Sequence, residues 1–138
     1  MREIKFRGKR VDSGKWVVGN YIQKNNPQIE EPTFWYALIQ DMASDYYEVT
    51  PETIGQYTGF KDINGKEIYE GDIIQIPDDY DIYGMNAGEI YEVIFSHGGF
   101  RMKAKHNKNS KGYYLDDNNS DEIIGNKFDN PELLEVPF

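Results

Sequence analysis

QYTGFKDINGKEIYEGDIIQI, Gln56 to Ile76, decides the reading of this chain. Asn64-Gly65 is the dipeptide that best tolerates the two positive φ angles of a type I′ turn, so Phe60–Ile63 and Lys66–Tyr69 are expected to pair as a hairpin. Glu70-Gly71-Asp72 supplies a second tight reversal. Ile73, Ile74 and Ile76 then give a β-branched strand. The same texture continues on both sides. Upstream, Ile4 and Phe6 alternate with Arg2, Lys5 and Arg7, and WVVGNYI follows Asp12-Ser13-Gly14, the pattern of an N-terminal hairpin whose basic side chains lie mostly opposite Ile4 and Phe6. TFWYALI reads as a buried strand, and QDMASDYYEV reads equally as a helical turn or an irregular connection. Downstream, EIYEVIF, FRMKAK and GYYL are strands, His97-Gly98-Gly99 is a turn, and Asn130 to Leu134 is a closing helical turn with Pro131 at its first position.

Composition bounds what such a sheet protein can do. The 138 residues suffice for one ordinary domain, 1–138, with possible sub-parts 1–50 and 51–138. At 14% aromatic content, the core is expected to be built more from rings than from leucines. The absence of cysteine excludes disulfides, thiolate catalysis and zinc–thiolate sites. MREIKFRGKR lacks the apolar core of a signal peptide and no run of about 18 apolar residues occurs, so a soluble, cytoplasmic protein without a membrane span is expected. The net charge of −9 is uneven: residues 1–24 and 96–112 each sum to +5, within an otherwise acidic chain. That balance argues against a nonspecific DNA coat while allowing a local basic face.

The blocks IKFRGK with GKWVVGNYI, VTPETIGQYTGFKDINGKEIYEGDII, VIFSHGGFRM and EIIGNKFDNPELLE together resemble the YopX protein family, small proteins of phages and prophages of Gram-positive bacteria. The resemblance spans nearly the whole chain and is most specific in the PETIGQYTGFKDINGKEIYEGDII block. It implies a mostly β, barrel-containing fold and a phage origin, and brings no activity, cofactor or catalytic residue with it. The acidic DDYDIYGMNAG loop is where the chain departs from the family pattern.

Candidate chemistries are few. Ser96 and His97 are neighbours on or beside a strand, so their side chains should point to opposite faces and form no nucleophile–base pair, and the G-x-S-x-G frame is absent. His106 sits in a Lys/Asn loop, better suited to solvent or phosphate than to a metal. Asp117, Asn119 and Asp121 have the opening spacing of a calcium loop, but Glu122 occupies its glycine position and Phe128 the place of its bidentate glutamate. Asp78, Asp79 and Asp81 read as solvated loop charge that could hold a hard cation only loosely. Glu70 and Asp72 could be imagined as an acid–base pair, but Asp72 is better explained as an acceptor for backbone N–H groups in its turn. No cofactor, metal site or catalytic set is expected.

The stronger signal is basic charge beside rings. Arg101, Lys103 and Lys105 alternate with Phe100, Met102 and Ala104, and Lys108 and Lys111 extend the charge toward Tyr113 and Tyr114. The expectation is an all-β fold with an SH3-like or related small barrel around residues 53–105 and an N-terminal hairpin completing a second sheet. Its leading function is a non-enzymatic interaction module that takes a protein partner or its own copies. The alternative is single-stranded nucleic-acid binding through Arg101, Lys103, Lys105, Lys108, Lys111, Tyr113, Tyr114 and the N-terminal basic strand.

Overall fold

The computed structural model describes residues 3–25, 35–76, 88–105, 113–115 and 121–135. Asp78, Asp79, Asp81, His106, Lys108, Lys111, Asp117 and Asn119 therefore lie outside the described residues. The chain is all-β, with two antiparallel sheets, and divides into two compact units, Met1–Tyr57 and Thr58–Phe138.

The first unit contains β1 (Phe6–Lys9), β2 (Trp16–Asn25), β3 (Trp35–Gln40), β4 (Tyr46–Val49) and the start of β5 (Gly55–Lys61). The sheet runs β4-β3-β2-β1-β5. β2 changes partner halfway: Trp16–Gly19 pair with β1, and Asn20–Asn25 pair with β3. Alternation decides what is buried. Ala37, Ile39 and Val49 are enclosed, with Phe6, Val17, Tyr21 and Ile54 packed around them. Lys5, Arg7 and Lys9 take the other side of β1, as expected, where Lys5 lies over the Tyr57 ring and both Arg7 and Lys9 over Trp16. A bridge between Arg10 and Val49, flanked by N–H donation from Val11 to the Glu48 carbonyl, ties β4 to the end of β1.

QDMASDYYEV is a hairpin joining β3 to β4. The Asp41 carboxylate accepts the N–H groups of Ala43 and Asp45, both at 3.0 Å, and Ser44 takes φ 66°. Asn64-Gly65 uses the same loop instead of the expected type I′ turn. Asp62 Oδ1 accepts from the Asn64 and Lys66 N–H groups, Gly65 donates to the Asp62 carbonyl, and only Gly65 has positive φ. This is a type I turn followed by one left-handed residue. The type I′ turn lies at His97 (φ 52°) and Gly98 (φ 81°). A non-glycine residue in that region costs about 1 kcal/mol unless it is Asn or Asp, so His97→Asn is expected to raise stability by up to about that much, read as a higher urea midpoint.

The second unit holds the rest of β5, β6 (Glu67–Tyr69), β7 (Asp72–Gln75), β8 (Ile90–Ser96), β9 (Gly99–Ala104), β10 (Tyr113–Tyr114), β11 (Glu122–Asn126) and a 3₁₀ turn, Pro131–Leu134, where the closing helical turn was expected. β5 pairs with β6, while the remaining strands form a sheet in the order β10-β9-β8-β7-β11. Among the described residues the strands within 53–105 form open sheets and close no SH3-like barrel. The meander breaks at Gly71 (φ 95°), where the Tyr69 N–H donates to Asp72 Oδ2 at 2.7 Å rather than to a following strand. β7 pairs instead with β8 and β11, so β6 ends one sheet and β7 belongs to the other.

The core of this unit is more aliphatic than ring-built: Ile68, Ile74, Ile76, Val93, Met102 and Leu115 cluster with Tyr91, and Tyr69 is a second buried ring. Each such aliphatic side chain contributes about 1.5–3 kcal/mol on burial. Many of the rings stand at the surface instead, including Tyr46, Phe95, Tyr113 and Tyr114. Isoleucine fills a strand interior without a polar atom, whereas a tyrosine hydroxyl needs a partner or water.

Candidate interaction surface on the second sheet

β9 sorts its side chains by alternation. Met102 is buried between its register partners Val93 and Tyr113, and Phe100 and Ala104 pack on the same core. Arg101 and Lys103 take the opposite face by alternation, and Lys105 follows directly after the strand's last residue. Tyr114, in register with Arg101, shares that face. The Arg101 guanidinium sits 4.0 Å above the Tyr114 ring, its Nη2 donates to the Tyr114 hydroxyl at 2.6 Å, and its Nε donates to the Ser96 carbonyl at 3.2 Å. Gly99 makes room for this arrangement, since a Cβ there would stand 2.9 Å from the Tyr114 ring.

Tyr113 is on the other face. Its ring meets Tyr91 edge-on at 6.4 Å, so the two tyrosines that sequence grouped with the lysines part company. Tyr113, Tyr114 and Phe95 are 51%, 59% and 55% exposed. Phe95 was not singled out by sequence. It occupies a core-facing register opposite Phe100, its ring 5.2 Å away, but so near the His97 turn that the core no longer covers it. Adjacency to a glycine turn is the signal that could have found it.

Burial, then the charge of Glu89 and the neighbouring Tyr113, pushes the Tyr91 hydroxyl up to about 12. The fold therefore favours the neutral phenol. This contribution is complete below the ordinary tyrosine value near 10 and is lost as pH climbs from 10 to 12. Tyr91→Phe should lose less stability than the parent over that interval, measured by urea midpoints at pH 9, 10 and 11.

Ser96 and His97 correct an expectation. His97 Nδ1 lies 3.3 Å from Ser96 Oγ, because the left-handed backbone of His97 turns its side chain back, as an extended residue could not. The contact is exposed at a hairpin tip. Asp72 accepts a backbone N–H, as a turn aspartate should. Among the described residues no three His, Asp or Glu side chains converge as a metal site, and no helix is long and apolar enough to cross a membrane. In the first unit, Arg10 lies over the Tyr47 ring and pairs with Asp12 at 2.8 Å, while Lys5 pairs with Glu3 at 3.1 Å, so part of the N-terminal charge is answered locally.

A family model described as YopX protein matches residues 5–135. No curated protein is similar enough to be matched. Among solved structures, the crystal structure of protein EF1440 from Enterococcus faecalis is similar at 23% identity with a TM-score of 0.56, covering 98% of this chain and 100% of that one. That likeness concerns the fold.

Proposed function

We propose that this chain, which belongs to the YopX protein family, is a non-enzymatic phage accessory protein that presents β surface to a protein partner or to a second copy of itself. What supports the reading is β10. Among the described residues it is an edge strand of two tyrosines, both more than half exposed, and exposed rings on an edge strand are the usual material of β-mediated association. In this reading the protein acts in the cytoplasm of a bacterial host and uses no cofactor. Size-exclusion chromatography with light scattering, together with capture from a phage-carrying host, tests it. Association or specific capture that is lost in Tyr113→Ser/Tyr114→Ser supports the proposal. A monomer that retains no protein at micromolar concentration overturns it.

The Arg101–Tyr114 stack favours a second reading, single-stranded nucleic-acid binding, because guanidinium and ring together form a platform for a base beside Lys103 and Lys105. Affinity for an oligonucleotide that falls steeply with salt and drops in Arg101→Ala is the expected result there. No binding at low salt removes it.

A further inference from the structure

Lys103 and Lys105 do not form a flat basic strip. With Glu92, Ala104 and Leu134 they line a cavity of about 290 Å³ on the second sheet, just under the usual range for small-molecule sites. Three features give it a chemical character. Glu92 stands opposite Lys103 in the β8–β9 ladder, yet its carboxylate is engaged by the Lys127 ammonium at 3.8 Å. Lys103 and Lys105 make no ion pair among the described residues, so the pocket offers two cations beside one internally balanced pair. Leu134, delivered by the Pro131–Leu134 turn, adds an apolar wall.

Lys103 ends β9's basic alternation and Lys105 follows the strand, its N–H still donating to the Ile90 carbonyl, so two residues of extended backbone put their Cα atoms about 6.8 Å apart, close enough for both ammonium groups to share one dianion. The carboxylate already held by Lys127 repels such a ligand less than a lone one would, and in a chain of net charge −9 this is a local concentration of positive charge. We propose that the pocket binds the phosphate monoester group of a small organic molecule, with Lys103 and Lys105 on the phosphate and Leu134 against its apolar part. This goes beyond the association surface at β10 and involves neither Tyr113 nor Tyr114.

The test is calorimetric titration of the full chain at low salt with phenyl phosphate, inorganic phosphate and benzoate. Phenyl phosphate is expected to bind several-fold more tightly than inorganic phosphate and about tenfold more tightly than benzoate, since two cations match a dianion better than a monoanion. Its affinity should rise between pH 5 and 7, as the phosphate loses its second proton near pH 6. Lys103→Ala and Lys105→Ala should each weaken it about tenfold. Glu92→Gln should tighten it, and Leu134→Ala should abolish the preference over inorganic phosphate. Tyr113→Ser/Tyr114→Ser should leave it unchanged, which separates this site from the β10 association surface. Absence of binding, indifference to the two lysine substitutions, or benzoate binding as well as phenyl phosphate each overturns the proposal.

Discussion

Gly19→Ala is expected to destabilise the first unit by about 3 kcal/mol or more, the upper end of overpacking costs. Gly19 is the residue at which β2 leaves β1 for β3, and there the backbone of the neighbouring strand comes into contact with it. An ideal Cβ would stand 1.9 Å from the Gln40 carbonyl oxygen, 2.7 Å from its carbon and 3.1 Å from Asp41 Cα. These are backbone atoms held in the β2–β3 ladder, so no side-chain rotation relieves the clash; the pairing from Asn20↔Gln40 onward has to shift. Gly8 is the control. A Cβ there would meet Val49 Cβ at 3.0 Å and Ile39 Cδ1 at 3.3 Å, a milder clash that shifts of a few tenths of an ångström would relieve. Urea unfolding of the two variants, followed by tryptophan fluorescence, should show the larger loss for Gly19→Ala. Equal losses would mean that Gly19 tolerates a side chain after all.

Asp62→Ala should cost about 3 kcal/mol, since it strands several backbone donors around a buried site. The Asp62 carboxylate is 2% exposed. Its Oδ1 accepts the N–H groups of Asn64 and Lys66, each at 2.9 Å, and its Oδ2 accepts that of Ile123 at 3.0 Å. The Ile63 N–H donating to the Asp121 carbonyl at 2.8 Å completes a clamp between the β5–β6 loop and the start of β11. Asp62→Asn keeps one acceptor oxygen but turns an amide donor toward one set of N–H groups, so a smaller loss is expected from it. Hydrogen exchange gives the specific signature: the amides of Asn64, Lys66 and Ile123 should lose protection in Asp62→Ala before the β8–β9 ladder does. Unchanged protection at Ile123 would show that β11 is held without the carboxylate.

Strand identity was legible wherever side chains alternate or a glycine marks a reversal, as in Gln56–Ile76, EIYEVIF and FRMKAK. It was not legible in QDMASDYYEV, where Ser44 occupies the left-handed position that glycine takes at Gly65. Without glycine the turn has no compositional mark, although Asp41 and Asp62 make the same bonds. For the candidate site, the alternation expected for Arg101 and Lys103 on a strand is that of β9, which ends at Ala104, one residue before Lys105. That Tyr114 and not Tyr113 shares the face of Arg101 was not legible, because the register of a two-residue strand decides it.

By itself the sequence determined the all-β character, the positions of most reversals and the exclusion of thiol chemistry, because period-two alternation, turn conformations and residue identity are local properties. Only the tertiary structure decided that β6 and β7 part into different sheets, that isoleucines more than rings fill the interior, and that Lys103 and Lys105 border a pocket with Leu134. These depend on pairings between residues far apart in the chain, such as Asp62 with Ile123, whose energies come from burial and ladder completion that no short window of sequence contains.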